Sequence, residues 1–472
     1  MLFPNRTRAL AHLFSYLLLL SCFSLFGAAE ANAAIARPID VVSINWPGAP
    51  ALDTNLEQLR SVVDNYTIGY WQRQANIEFS DGITDFNQIN MSTEAPCNGD
   101  ATVTYMSQIA AKFYSLHNLD PHQRYLFVLM PKLTGDCVWA AKSFVGDFHT
   151  PYGMTILQDS IQPNVITHEL GHSLGLGHTN LIRCPANTPD GMWANCNAIE
   201  YGGAVDVMSN VDVDGALSTY HQWRMGIIKD SDVTQVWKTQ TVDLKYTNSP
   251  SGIRAIFVRD GKQTYWVEYR KAADGYTPGL AIYRTDPPPA SAIVSPNSSD
   301  AVEAPNEAVT SDVWLMNLDS FRYTGNATTS GSPTLALGQS LVNASGNISF
   351  TAQQKDADTI SVTVTRKADT VAPPTPVFTN TNTWVSPESE LIAAGYEDAD
   401  SIIEKFQISV DDKVSDVTGS ASSSWFATYL SPLIPIKSLH VKDLPEGTYA
   451  LKARGVDVYG NASGWSKPVN VV

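Results

Sequence analysis

Two histidines four residues apart, His168 and His172, lie in the stretch HELGHSLGLGH, where Glu169 and His178 complete a set of groups able to bind a metal or move a proton. On a helix this i, i+4 spacing projects both imidazoles from one face, where they can grip one cation. Glu169 points roughly 100° around the axis, which places its carboxylate beside a metal-bound water and off the metal itself. Gly175 can take the positive φ that ends the helix, and the chain can then bring His178 back as a third nitrogen donor. Three protein ligands and an open position are the layout of a catalytic zinc, which lowers the pKa of its water to about 7 while a neighbouring carboxylate takes the proton. A plain amphipathic helix with its histidines satisfied in a core is the simpler reading of HExxH alone, but the third histidine and the glycine argue against it.

Such a helix needs a framework. Residues 38–46, PIDVVSINW, read as a first strand. Asp53 can cap a helix carrying Leu56, Leu59, Val63 and Tyr66 on one side, and a second helix follows through Tyr105, Ile109, Phe113 and Leu116. The run RYLFVLM at 124–130 is a buried strand, and 138–145 forms another just before the histidine helix. The order is mixed, predicting an α+β or α/β domain over 34–235. From about 236 the texture turns to short β runs. Those at 253–258 and 264–269 flank Asp260-Gly261, a hairpin signal, and Ile360, Val362 and Val364 alternate with polar residues, so 236–369 is expected to be a β-rich module. Within it, 286–312 holds three consecutive prolines among Ser, Ala and Asn, and is expected to be a long exposed loop. The prolines of TVAPPTPV at 370–377 mark a linker. Beyond them Phe406, Ile408 and Val410, then Tyr449, Leu451 and Ala453, alternate with polar residues, which predicts a β-sandwich over 370–472 like immunoglobulin or fibronectin type III modules.

The chain's 472 residues are enough for about three domains. Lys+Arg 31 against Asp+Glu 47 gives a net charge of -16, which excludes the cationic footprint that nucleic acid or an anionic membrane surface requires. Arg6 and Arg8 precede an apolar run over 13–25, and Ala31-Asn32-Ala33 supplies small residues for cleavage, so 1–33 reads as a signal peptide and the product as secreted. The run is short for an integral membrane span, and Leu19-Leu20-Ser21-Cys22 only loosely resembles a lipidation signal. The first strand follows the cleavage point so closely that no propeptide is expected. Cleavage removes Cys22 and leaves Cys97, Cys137, Cys184 and Cys196, an even number that suggests two disulfides in an exported chain. Three connectivities are open; the expected one pairs Cys184 with Cys196 and Cys97 with Cys137.

The zinc motif resembles that of the metzincin metallopeptidases, whose HExxHxxGxxH is matched by His168, Glu169, His172, Gly175 and His178. Metzincins also carry a methionine turn beneath the metal, and Met208 in YGGAVDVMSN is the match. HELGHSLGLGH, YGGAVDVMSN and YHQWRMGII together look most similar to the gametolysin family of secreted peptidases, and YWVEYR and GLAIYR resemble the β-rich portion that follows their catalytic domain. The resemblance covers roughly 36–290 and is tight only around the zinc motif and Met208. It implies a zinc endopeptidase acting on protein or peptide substrates, with zinc on His168, His172 and His178, Glu169 as general base and Met208 as a hydrophobic floor. It also implies that 138–145 is the sheet edge onto which an extended substrate adds. Some metzincins place a tyrosine two residues after the turn methionine; here Asn210 stands there, and Tyr201, Tyr220 and His221 are the available substitutes.

Weaker signals remain. Asn210, Asp212, Asp214 and Gly215 imitate the first half of a calcium loop, but its twelfth position is His221 where a carboxylate should be, so a solvated acidic turn is the default. The sequons at Asn326 and Asn343 matter only in a glycosylating host. The competing function is an extracellular binding or adhesion protein with a vestigial zinc site, its terminal sandwich holding matrix, cell surface or carbohydrate. Glu169 favours the enzyme, because a purely structural metal needs no base beside an open position.

Overall fold

The computed structural model describes residues 37–471 except positions 98, 136, 138, 147, 149–151, 204, 210–214, 272–276, 295–311, 317, 319–332, 380–384, 395–400, 411, 418–419, 423–435 and 445. The signal-peptide reading of 1–33 and most of the calcium-loop reading lie outside the described residues. Among those residues no helix is long and apolar enough to cross a membrane.

Five strands, β1 (Pro38–Asn45), β2 (Ser80–Asn90), β3 (Tyr125–Met130), β4 (Ala141–Ser143) and β5 (Gly153–Gln158), build the first sheet in the order β2-β1-β3-β5-β4. All neighbours are parallel except β4, which runs antiparallel to β5 at one edge. The unbroken apolar run of β3 follows from burial on both faces. Tyr125, Phe127 and Leu129 face one core with Ile39 and Val41, while Leu126, Val128 and Met130 face another with Val42 and Ile44. Helix α1 (Leu56–Val62) continues through a π-helical turn at Val63–Thr67 into α2 (Ile68–Ala75) and packs on the first face. Helix α3 (Asp100–His117) covers the second. The expected cap at Asp53 is corrected to Asn55, whose side chain forms a capping box with Gln58. The Asp53 and Thr54 amides instead donate to the Asp159 carboxylate at 2.9 and 3.0 Å.

After helix α4 (Pro163–Ser173), strands β6 (Thr179–Arg183) and β7 (Asn197–Ile199) leave this layer. Helix α5 (Thr219–Arg224) precedes β8 (Val233–Val236), β9 (Gln240–Lys245), β10 (Ala255–Asp260), β11 (Gln263–Arg270), β12 (Gly279–Arg284), β13 (Ile293–Val294), β14 (Val313–Leu315) and β15 (Leu335–Ala336). All of these strands except β9 make a nine-stranded sheet ordered β13-β7-β6-β14-β12-β11-β10-β8, with β15 also on β12. The sheet therefore runs across position 235, with β6 and β7 before it hydrogen-bonded to strands after it. The Asp260-Gly261 hairpin forms as expected: Asp260 pairs with Gln263 around Gly261 at φ 58. The expected loop over 286–312 is corrected at both ends, since Asp286 is buried against Arg284, a short turn and β13 occupy 290–294, and Asp312 leads into β14.

A four-stranded sheet of β16 (Ser340–Val342), β17 (Ile348–Gln354) and β18 (Thr359–Arg366) with β9 faces the larger one. Ile256, Val258, Tyr265 and Val267 meet Phe350, Ala352, Val362 and Val364 between them. The opposite face of the large sheet presents Phe257, Trp266 and Tyr283 to Tyr220 and Trp223 of α5. The terminal unit comprises β19 (Glu390–Ala394), β20 (Ile403–Val410), β21 (Lys413–Val417), β22 (Ser420–Ser422), β23 (Ile436–His440), β24 (Tyr449–Asp457) and β25 (Val469–Val471). Its two sheets, β19-β23-β22 and β21-β20-β24-β25, enclose Leu391, Ile392, Phe406, Ile408, Leu439, Leu451 and Ala453. The molecule is thus a set of β-rich layers with few helices. Disulfides join Cys97 to Cys137 and Cys184 to Cys196, the expected pairing.

Candidate metal centre

Helix α4 starts with Pro163 in its first turn, where the missing N–H costs no bond. It ends in a Schellman motif: the Gly175 amide donates to the His172 carbonyl at 2.8 Å and the Leu176 amide to the Gly171 carbonyl at 3.0 Å. Gly175 has φ 91, which a side chain at this position would strain. The turn sends the chain back so that His178 rejoins His168 and His172, and donor nitrogens of the three rings lie within 4.8 Å of one another.

Each ring is held by its Nδ1. His168 Nδ1 donates to the Val207 carbonyl at 2.6 Å and His172 Nδ1 to the Leu176 carbonyl at 2.7 Å, because a carbonyl can only accept. His178 Nδ1 faces Glu200 Oε1 at 3.2 Å. With Nδ1 so engaged, each Nε2 is left as the lone-pair nitrogen, and those of His172 and His178 stand 3.1 Å apart. At that spacing the two nitrogens must share either a proton or a cation. Nitrogens placed about 2.0–2.1 Å from one tetrahedral ion are separated by roughly 3.4 Å, so the pair fits a common metal with little adjustment. An all-imidazole set suits the borderline transition ions and not calcium or magnesium, which take oxygen.

The electrostatics favour the neutral form for His168 and His172 but not for His178. Burial, aided by the neighbouring His178, pushes His168 down to about 3, and burial with the other two rings holds His172 well below the usual range. For His178 burial works against charge, but the Glu200 hydrogen bond and the charges of Glu200, Asp312 and Glu169 outweigh it and leave its pKa raised. Glu169 is itself buried on α4 beside these rings.

Met208 lies directly under the helix. A Cβ added at Gly171 would meet Met208 Sδ at 2.3 Å, so the fourth letter of HELGH is glycine because the methionine occupies its space. The methionine loop is pinned from below. Asp206 accepts from the Met208 amide at 3.0 Å and the Ser218 amide at 2.9 Å. Arg270, from the stretch YWVEYR, donates to the carbonyls of Val205 at 2.9 Å and Ala216 at 2.8 Å. Glu268 neutralises Arg270 at 2.8 Å and receives the Tyr283 hydroxyl at 2.6 Å. The large sheet thus holds the loop that carries Met208.

Of the expected tyrosine substitutes, Tyr201 packs on the rings, its centroid 4.1 Å from that of His178. Tyr220 packs on Trp266 at 5.3 Å and His221 is buried 3.8 Å from Asp206. Asn210, Asp212 and Asp214 lie outside the described residues, while Gly215 packs so tightly that a Cβ there would meet the Val205 carbonyl oxygen at 2.3 Å. Asn343 of the second sequon is buried and donates to Asp260 at 2.6 Å, so it is committed to the interior. Sequence reasoning missed Glu200 and Asp312. Glu200 sits one residue before the quoted YGGAVDVMSN, but no spacing rule marks it. Asp312 is 134 residues from His178, and only the fold brings its carboxylate to the His178 amide at 2.6 Å.

The chain matches no protein-family model and no curated protein. Among solved structures it is similar to wild-type OgpA from Akkermansia muciniphila in two crystal forms. In one the identity is 10% and the TM-score 0.25, covering 93% of this chain and 92% of that chain. In the other the identity is 8% and the TM-score 0.26, covering 93% of each. Likeness at this level carries no argument about activity.

Proposed function

We propose that the chain is a secreted zinc-dependent endopeptidase of metzincin type, hydrolysing peptide bonds of extracellular proteins or glycoproteins. The observation that carries this reading is the convergence of three Nδ1-anchored imidazoles within 4.8 Å, with Glu169 one residue from His168 on the same helix. His168, His172 and His178 would hold the zinc, which when bound supplies a Lewis acid and a water acidified to about 7. Glu169 takes the proton of the attacking water and returns it to the leaving amine. Burial keeps that carboxylate from bulk solvent and strengthens its interaction with the proton it moves.

Extended substrate adds to β4, which among the described residues is the edge strand next to β5. That edge is tied to the zinc helix: Ser143 Oγ lies 2.9 Å from Ser173 Oγ, and the Gly146 amide donates to the His172 carbonyl at 2.8 Å. A peptide paired with β4 therefore lies at a fixed distance from the histidines. In domain terms, 34–235 supplies the catalytic residues, 236–369 the supporting β-layers and 370–472 a sandwich of immunoglobulin or fibronectin type. Two disulfides are consistent with an oxidising extracellular environment.

The test is cleavage of casein and a peptide library by the mature chain, with and without chelator, alongside Glu169→Ala. The expected result is chelator-sensitive cleavage that Glu169→Ala abolishes while zinc stays bound. A wild-type chain that carries zinc yet cleaves no peptide favours the binding or adhesion reading.

A further inference from the structure

His178 differs from the other two imidazoles in how it is supported. His168 and His172 project from a closed helix, whereas His178 sits in extended chain just before β6. Three contacts fix it there. Its ring Nδ1 is 3.2 Å from Glu200 Oε1. Its backbone amide donates to Asp312 Oδ1 at 2.6 Å, and its carbonyl accepts from the Val313 amide at 3.0 Å. The second Asp312 oxygen receives Asn180 Nδ2 at 3.3 Å, and Asn180 Oδ1 in turn accepts from the Tyr201 amide at 2.9 Å. Tyr201 is a non-glycine residue held at φ 59, and its ring packs on that of His178 at 4.1 Å. One polar chain therefore runs from Asp312 through Asn180 to the residue next to Glu200, closing around the third histidine.

We propose that Glu200 and Asp312 are a pair of positioning residues for His178. Glu200 sets the ring's tautomer and aim, Asp312 sets its backbone, and the metal site is completed only by the strand that follows Asp312 in the downstream sheet. The inference rests on the zinc reading of the three histidines. Charge-bearing partners of metal-bound imidazoles raise ligand basicity and remove rotational freedom, and their loss typically weakens metal binding by about 10–100-fold. Asp312 adds a second effect: β14 pairs in parallel with β6 from Val313 opposite Thr179 onward, so the aspartate fixes the register in which that strand meets the ligand segment.

The experiment uses the full mature chain and measures zinc affinity by chelator competition, together with the visible absorption of the cobalt-substituted protein. Glu200→Gln, whose side chain is 25% exposed, is expected to fold normally, to bind zinc about 10–100-fold more weakly and to shift the cobalt spectrum. Glu200→Asp is expected to fall between. Asp312→Asn keeps an acceptor for the His178 amide and is expected to lose less affinity than Asp312→Ala. If Asp312→Ala does not fold, Asp312→Asn and the Glu200 variants decide. Zinc affinity within twofold of wild type and an unaltered cobalt spectrum in Glu200→Gln overturn the proposal. A wild-type chain that binds no zinc overturns the zinc reading itself, so the two failures are distinguishable.

Discussion

Gly171→Ala tests whether Met208 lies where the structure puts it. In an exposed helix this change gains about 1 kcal/mol from propensity. Here the new Cβ would stand 2.3 Å from Met208 Sδ and 3.0 Å from Trp71 Cζ2. Ordinary carbon contacts lie near 3.5–4.0 Å, so the methionine must retreat by more than about 1 Å. Met208 and Trp71 are both fully buried and have little space to yield. Overpacking of this kind costs about 1–3 kcal/mol, leaving a net loss of about 0–2 kcal/mol. The decisive quantity is the coupling with Met208→Ala, which alone costs about 2–5 kcal/mol through the cavity it leaves. In that background the added methyl enters the cavity, only the Trp71 contact resists it, and Gly171→Ala should become neutral or stabilising. The assay is chemical denaturation of wild type, both single variants and the double variant in chelator, with the coupling energy taken from the cycle. A coupling near zero refutes the packing of Met208 against α4.

Asp206→Asn is expected to destabilise by about 2 kcal/mol at neutral pH, since it weakens charge-assisted hydrogen bonds to the Met208 and Ser218 amides. Burial resists the Asp206 charge, but His221, Arg270 and the Ser218 amide hold its pKa below the usual value. A depressed folded-state pKa stabilises fully above the unfolded value of about 4 and is lost as pH falls through the folded one. The gap between wild type and variant, followed by denaturation against pH, should therefore narrow below about pH 4, and a gap that widens there contradicts the assignment. A chain ending at 235 is expected not to fold cooperatively, because β6 loses β14 and the methionine loop loses Arg270, whereas one ending at 369 should retain a cooperative melt and its metal. Calorimetry of the two truncations distinguishes these outcomes.

The convergence of His168, His172 and His178 was legible because they are close in sequence: helix periodicity aligns His168 with His172, and one glycine turn returns His178. The hairpin at Asp260-Gly261 and the doubly buried strand at Tyr125–Met130 were legible for the same reason, each being a local pattern with a local cause. Asp53 was mistaken for a cap because a competing carboxylate, Asp159, lies 106 residues away and takes its amide. Glu200, Asp312 and Arg270 were invisible for a related reason. Their roles depend on which strands share a sheet, and a sheet that joins β6 to β14 has no signature along the chain. Composition changed near 235, where helices give way to strands, yet hydrogen bonding did not, so texture located the change in architecture but not the extent of the cooperative unit.

Metal content tests the central claim most directly. Elemental analysis of the purified, folded mature chain should find about one zinc per molecule, and the His168→Ala, His172→Ala, His178→Ala triple variant should have lost it. A folded wild-type chain without a bound transition metal, or a triple variant that retains the same content, would contradict the account.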